Sequence, residues 1–405
     1  MCDTLWLPGA GGALFAKNSD RPAREAQLVA SHPARPAAAV VPTQYLRLPD
    51  PGAIPCLLAR PVWLWGAEHG VNSERVAVGN EKVWGVDDPA AAPAALIGMD
   101  LVRLALERSR TAAEALEVLT GLLGDHGQGG ICDEENDEAY WSSFLLADPT
   151  EAWVLETSGR TWAARPSTAG VAISNRIGLR ADWTRASADV PPGADFDRWR
   201  DPSVPTGRAD GRLAAGRAYL AGACPTGPGA APLDPAGMVG HLRDHGTGPW
   251  GAPGSRSLIG ALPGEVGDDG SGVTVCMHLR GDKATTSSMV TLLPADPDEP
   301  TRAWIAPGSP CCSVYLPVLA PASPAPLLAD PAVWWRFAAL RDVAEAQVDA
   351  IGDIRAVLDP LEDDLWAEGA LLGADPAAWD RFVGVAGARV LDHLDRLDRV
   401  LGLDR

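Results

Sequence analysis

Met1-Cys2-Asp3-Thr4-Leu5-Trp6-Leu7-Pro8-Gly9-Ala10-Gly11-Gly12-Ala13-Leu14-Phe15-Ala16-Lys17-Asn18-Ser19-Asp20-Arg21-Pro22 opens the chain. Residues 2–7 are short and mostly apolar, Pro8 to Gly12 is a turn, Ala13 to Ala16 is apolar again, and Lys17 to Pro22 is polar. The pattern predicts a hairpin followed by a functional loop. A tight hairpin returns that loop towards Cys2. Cysteine at position 2 is chemically special, because removal of Met1 leaves one residue with both a thiol and a free α-amine. The amine, with a pKa of about 8, is partly neutral at pH 7 and can act as a base. The thiolate is the attacking form, and nearby positive charge increases its share. One residue then supplies nucleophile and base, and no histidine is required. A carboxylate in the loop could orient the amine and a cation there could favour the thiolate. Taken alone, Cys2 is better explained as an incidental small residue, and the loop can be read as a solvated turn.

The 405 residues suffice for one elaborated domain or for two, and 46% apolar with 21% charged residues fits a globular chain. The net charge of -19 argues against nucleic-acid binding, whose phosphates need Lys and Arg. There is no apolar run of membrane-spanning length and no secretory pattern at the start, so a cytoplasmic protein is expected. The seven cysteines have irregular spacings without a C-x-x-C pair, which argues against a disulfide framework or a structural zinc. Val273 to His278 reads as a strand with Cys276 and His278 on one face. Because no further ligands cluster nearby, the two read as a buried core pair rather than a metal site. No metal or cofactor is expected.

Strand-like runs follow at 56–65 and 75–79. Leu96, Met99, Leu101, Leu104 and Leu106 predict a helix over 90–110, and Thr111 caps a second one through Leu123. Residues 143–147 and 152–156 predict paired strands, with 161–164 and 171–174 extending the same sheet. A long loop over 186–210 precedes a helix at 211–221. Asp234 and Pro235 open another that ends near Asp244. Strands are expected at 273–278 and 288–293, a Pro-rich surface wrap over 294–332, and helices from 331 to 405 with a break near 373–375. Strands and helices in separate runs indicate α+β layers.

The sequence is similar to the secernin and dipeptidase-A family of cysteine N-terminal-nucleophile hydrolases. The resemblance rests on Met1 to Thr4, Lys17 to Pro22, Arg60 to Glu68, Gly70-Val71-Asn72, Val78 to Trp84 and Gly127 to Gly130. It continues through Asp148 to Thr157, Trp162 to Ala164, Ile173-Ser174-Asn175, Cys276-Met277-His278 and Thr286 to Val290. These blocks keep their order over residues 1–295, and the ordered set is what is specific. The resemblance implies a four-layer αββα sandwich over residues 1–330, with a helical C-terminal extension at 331–405 packed on it. It also implies amide hydrolysis, typically of small peptides. By motif, Cys2 takes the nucleophile's place, and Asp20 matches the carboxylate that positions the amine. Asn80 matches an oxyanion donor of related penicillin and bile-salt amidases, and Asn175 a polar group facing the tetrahedral intermediate. Lys17 stands where those relatives carry Arg, keeping the charge but losing the planar fork. Their late catalytic arginine has no assigned counterpart; Arg280 lies near without matching.

Arg21, Trp65, Glu68 and Trp84 are expected to line a substrate pocket, although Trp63, Trp65 and Trp84 are equally suited to core packing. The acidic run Asp133 to Glu138 could attract a substrate's ammonium, or be a solvated loop; its spacing is not an EF-hand. The expected partners are a small peptide or amide substrate and a methionine aminopeptidase for maturation, without nucleic acid or membrane. A homo-oligomer built through the helical tail is a further option. Beside the dipeptidase-like reading stand an acylase for a non-peptide amide and a secernin-like binding protein with little hydrolase activity.

Overall fold

The computed structural model describes residues 1–223, 233–246, 273–347 and 349–403. The opening hairpin forms as β1 (Cys2–Gly9) and β2 (Gly12–Pro22), with Cys2 paired to Ser19 and Gly9 to Gly12. Lys17 to Pro22 is not a loop. It continues β2, because a long strand, Lys283–Pro294, pairs along the other side of β2 and satisfies its backbone. The polar residues of this stretch are therefore buried inside a sheet.

Two large antiparallel sheets carry the fold. In chain order the further strands are β3 (Gln27–His32), β4 (Cys56–Pro61), β5 (His69–Asn72), β6 (Ala77–Val83), β7 (Trp141–Ala147), β8 (Ala152–Ser158) and β9 (Thr161–Ser167). Then come β10 (Val171–Ser174), β11 (Arg185–Ala186), β12 (Lys283–Pro294), β13 (Arg302–Pro307) and β14 (Leu316–Leu319). One sheet has six strands in the order β10-β1-β2-β12-β13-β14; the other has eight, β11-β9-β8-β7-β6-β5-β4-β3. Val171–Ser174 does not extend the sheet of β8 and β9 as expected. It crosses to pair with β1, Asp3 opposite Ser174, and so carries Asn175 to the start of β1.

Alternation along the strands separates two faces. Trp6 and Phe15 pack between the sheets with Val71, Ala77, Leu145 and Val154 of the other sheet. Leu5, Leu7, Leu14 and Ala16 point the other way, onto α3 (Gly207–Ala223) and α4 (Pro235–Leu242). On the far face of the eight-stranded sheet, α1 (Gly98–Arg108) and α2 (Ala112–Asp125) bury Leu101, Leu104, Leu116 and Leu119 against Leu58, Val78, Phe144 and Leu155. The layers are thus helix, sheet, sheet, helix, as the resemblance implied. Each fully buried large apolar side chain contributes roughly 2–3 kcal/mol by removal from water, so the inter-sheet layer is a main source of stability.

Several boundaries differ from expectation for local reasons. The first helix begins at Gly98 rather than residue 90, since Pro89 and Pro93 leave only a short 3-10 turn over Pro89–Ala91. Thr111 caps α2 as expected, its Oγ1 accepting from the Glu114 N–H at 3.1 Å. Residues 273–278 form no strand; His278 makes only an isolated bridge to Ala284. The Pro-rich 294–332 stretch is not a surface wrap, for it contributes β13 and β14 and buries Cys311, Val314 and Tyr315. The C-terminal helices α5 (Pro331–Ala346), α6 (Ala350–Ala370) and α7 (Pro376–Leu401) pack around β14 and its flanking turns. Among the described residues, no helix is long and apolar enough to cross a membrane.

Candidate active site

Period-two geometry at the start of β1 decides what surrounds Cys2. Cys2, Thr4 and Trp6 face the eight-stranded sheet: Thr4 donates to Glu81, and the Trp6 indole donates to the Asp148 carbonyl at 3.0 Å. Asp3 faces the helices and meets Arg212 of α3. On β2, Lys17 shares the inter-sheet face, while Asn18 reaches the Leu242 carbonyl beside α4. The register of β2 against β12 shifts between Thr285 and Ser287, beside Asp20. A bulge of this kind re-aims side chains locally.

Cys2 is buried, and its N–H donates to Asn175 Oδ1 at 2.5 Å. The same oxygen accepts from Arg212 at 2.8 Å, and the Asn175 amide nitrogen donates to the Lys82 carbonyl at 2.9 Å. Arg212 also donates to the Cys2 carbonyl at 3.0 Å and to Asp3 Oδ2 at 2.7 Å, and lies 3.8 Å from Asp20. Thr285 donates to Asp20 at 2.6 Å. The Met1 ammonium donates to the Asp20 carbonyl at 2.9 Å.

Burial sets the protonation of this cluster. It lowers the Met1 α-ammonium below its usual value, against the pull of Cys2 and Asp20. It raises the Cys2 thiol, opposed by Lys17 and the terminal amine. It pushes Asp20 up to about 6, opposed by the same amine and by Arg212. For Lys17, burial acts to lower the value, but Cys2, Glu81 and Glu68 outweigh it and the ammonium is held. Lys17 is fully buried and donates to the Asn80 carbonyl at 2.6 Å. Gly79 makes room for it, because a Cβ there would fall 2.7 Å from the Lys17 side chain.

A cavity of about 130 Å³ opens at Cys2, lined among others by Met1, Asp20, Arg21, Glu68, Lys82, Trp84 and Lys283. Arg21 is locked by Glu25, the Tyr140 hydroxyl, the Cys132 carbonyl and Glu68. Trp84 carries Lys82 over its ring at 4.9 Å. Two members of the acidic run reach the cavity, and both are paired: Asp133 with Lys283 at 2.5 Å, Glu138 with Lys82.

Two expectations of the sequence place residues elsewhere. Trp65 does not line this cavity; it packs beside the α1 cluster with Arg103 over its ring at 4.2 Å. Asn80 sits on the α1 side of β6. In the amide orientation that satisfies both groups, its nitrogen donates to Glu68 Oε2 and to the Glu68 carbonyl, both at 2.9 Å. Its side chain supports a cavity residue and does not face the cavity itself. The residue that sequence reasoning missed is Arg212. Its signal was available: it lies next to Leu213 and one turn from Ala209 and Gly216, on the buried face of a helix.

Residues 66–187 match the model of peptidase family C69, the family of dipeptidase A and the secernins. The stretch contains Glu68, Asn80, Trp84 and Asn175; Cys2, Lys17 and Asp20 precede it and Arg212 follows it. Among solved structures, a C2A mutant of the conjugated bile acid hydrolase from Clostridium perfringens is 12% identical, covers 75% of this chain and 88% of its own, and has a TM-score of 0.43. A penicillin V acylase from Agrobacterium tumefaciens is 10% identical and covers 79% of this chain and 86% of its own, also at 0.43. At these scores the likenesses carry no argument about this chain's chemistry.

Proposed function

We propose that loss of Met1 turns Cys2 into the nucleophile and base of an amide hydrolase acting on small, dipeptide-like substrates. The observation that carries this reading is the convergence on one residue, at a cavity wall, of Asn175 and Arg212 on its backbone and Lys17 beside its thiol. Met1 itself lines the cavity, so its removal enlarges the space next to the thiol.

In this mechanism the freed α-amine takes the thiol proton as sulfur attacks the substrate carbonyl. In the intact chain burial lowers the Met1 ammonium, which donates to the Asp20 carbonyl; the amine freed one residue further on would share that buried setting, with Asp20 as the carboxylate that positions it. The fixed charge of Lys17 favours the thiolate and, by the same sign, the oxyanion that forms beside it. The protonated amine then gives its proton to the leaving amine, and water clears the thioester. Asn175, with its oxygen on Cys2 and its nitrogen on Lys82, acts by orienting Cys2. Asn80 acts through Glu68.

Charge at the cavity wall supports reading the substrate as a peptide rather than a lipid-like amide. Nine of the fifteen lining residues are charged, with both signs present, which suits a zwitterion and disfavours a long acyl chain. The test is competition between unmodified dipeptides, the same dipeptides with both ends capped, and a long-chain N-acyl amine. Preference for the unmodified dipeptides by at least tenfold in kcat/KM is expected. Preference for the N-acyl amine would replace the peptidase reading with the acylase one.

A further inference from the structure

Cys276 and His278 are not an isolated core pair. Folding brings to them His245, from just beyond α4, and Cys311, from the 3-10 turn Pro310–Cys312 between β13 and β14. One ligating atom from each of the four lies within 4.8 Å of all the others. Cys276 Sγ is 3.4 Å from His278 Nε2, which is 3.2 Å from Cys311 Sγ. A tetrahedral zinc with bonds of about 2.3 Å to sulfur and about 2.0 Å to nitrogen sets neighbouring S and N atoms about 3.5 Å apart. The four residues are at most 3% exposed.

We propose that His245, Cys276, His278 and Cys311 form a structural zinc site. Two thiolates and two neutral imidazoles cancel the charge of a dication, which lets the group sit in a dry interior. Among the described residues the set is two thiols and two imidazoles, which suits zinc over calcium or magnesium, since those take oxygen ligands. A second observation supports the assignment. The other ring nitrogen of His278, Nδ1, lies 3.0 Å from Glu345 Oε1 of α5, the carboxylate–histidine arrangement that orients a metal-bound imidazole.

The site ties three remote parts of the chain together behind the Cys2 cavity. Between its two ligands, the Met277 N–H donates to Thr285 Oγ1 at 3.0 Å, and Thr285 donates to Asp20. Leu279 and Lys283, just beyond His278, line the cavity. No short motif announces the set, because roughly thirty residues separate the central pair from the ligand on either side, unlike the spacings of zinc-finger patterns.

The test uses the full chain purified without chelators. Elemental analysis should find about one zinc per chain, and protein made in zinc-poor medium should take up added Co(II) with a thiolate-to-cobalt charge-transfer band and tetrahedral d–d bands. Cys311→Ser and His245→Ala should each lose at least tenfold in zinc content, while Cys56→Ser retains it. The cobalt spectrum of the wild type needs no variant, so a variant that fails to fold leaves the test intact. Wild-type protein that holds and takes up no zinc or cobalt overturns the proposal. So does a cobalt spectrum without thiolate bands.

Discussion

Arg212 donates at 2.8 Å to the same Asn175 oxygen that accepts the Cys2 N–H. A planar fork on α3 thereby fixes the residue that fixes the nucleophile, while its other arm holds Asp3. Arg212→Lys keeps the charge but cannot serve Asn175, the Cys2 carbonyl and Asp3 together. We expect kcat to fall by about 100-fold or more with the fold retained. Arg212→Ala also strands the buried Asp3 carboxylate, and should cost about 3–5 kcal/mol of stability in denaturant titration. Activity within twofold of wild type in Arg212→Lys would remove Arg212 from the site.

The opposition between burial and Lys17 at the Cys2 thiol can be measured directly. Lys17→Met removes the larger of the two charges that oppose burial, so the thiol pKa rises. Alkylation of Cys2 by iodoacetamide, followed by mass spectrometry against pH, should require a pH higher by at least one unit than in wild type. An unchanged alkylation profile would show that Lys17 does not act on the thiol.

Asp20, raised to about 6 by burial, must be ionised to hold the amine. The kcat/KM profile should therefore lose activity as pH falls through about 6, and Asp20→Asn should lower it by about 100-fold while removing that acid limb. A limb that persists in Asp20→Asn belongs to another group.

Glu156 gives a stability prediction remote from Cys2. Burial raises it from 4.5 to about 7, although it accepts from the Gly178 and Leu179 N–H groups at 2.7 and 2.9 Å. Its folded pKa lies above the unfolded one, so between about pH 4.5 and 7 the folded state keeps a proton that the unfolded state has lost. Stability from this group is thus lost as pH rises through that window. Relative to Glu156→Gln, wild type should weaken by on the order of 2–3 kcal/mol from pH 4 to pH 8. A difference between the two that does not vary with pH in urea titrations would contradict the shift.

The parts legible in the sequence were those set by neighbours in the chain. The hairpin turn between Cys2–Leu7 and Ala13–Ala16 and the Thr111 cap both depend on local turn and capping chemistry. Runs of strand and helix indicated α+β layers, and the four-layer order followed from the family resemblance. Long-range pairing was not legible: that Val171–Ser174 joins β1 rather than the sheet of its predecessor depends on tertiary packing, and with it goes the meeting of Asn175 with Cys2. Lys17 to Pro22 looked like a loop because it is polar, yet β12 pairs along it and turns polarity into a buried network. The motif match did not give the partner of Asn80, since strand parity at β6 sets its side chain against Glu68. Arg212, Cys311 and His245 reach their partners only through packing of α3, the 309–313 turn and the segment after α4.

The central claim is that Cys2, freed of Met1, performs the chemistry. It is tested most directly by intact-protein mass and dipeptide turnover on one preparation, with wild type beside Cys2→Ala. The account predicts a wild-type mass lacking Met1, with hydrolysis that disappears in Cys2→Ala. Hydrolysis by a chain that retains Met1, or turnover that survives the substitution, would contradict it.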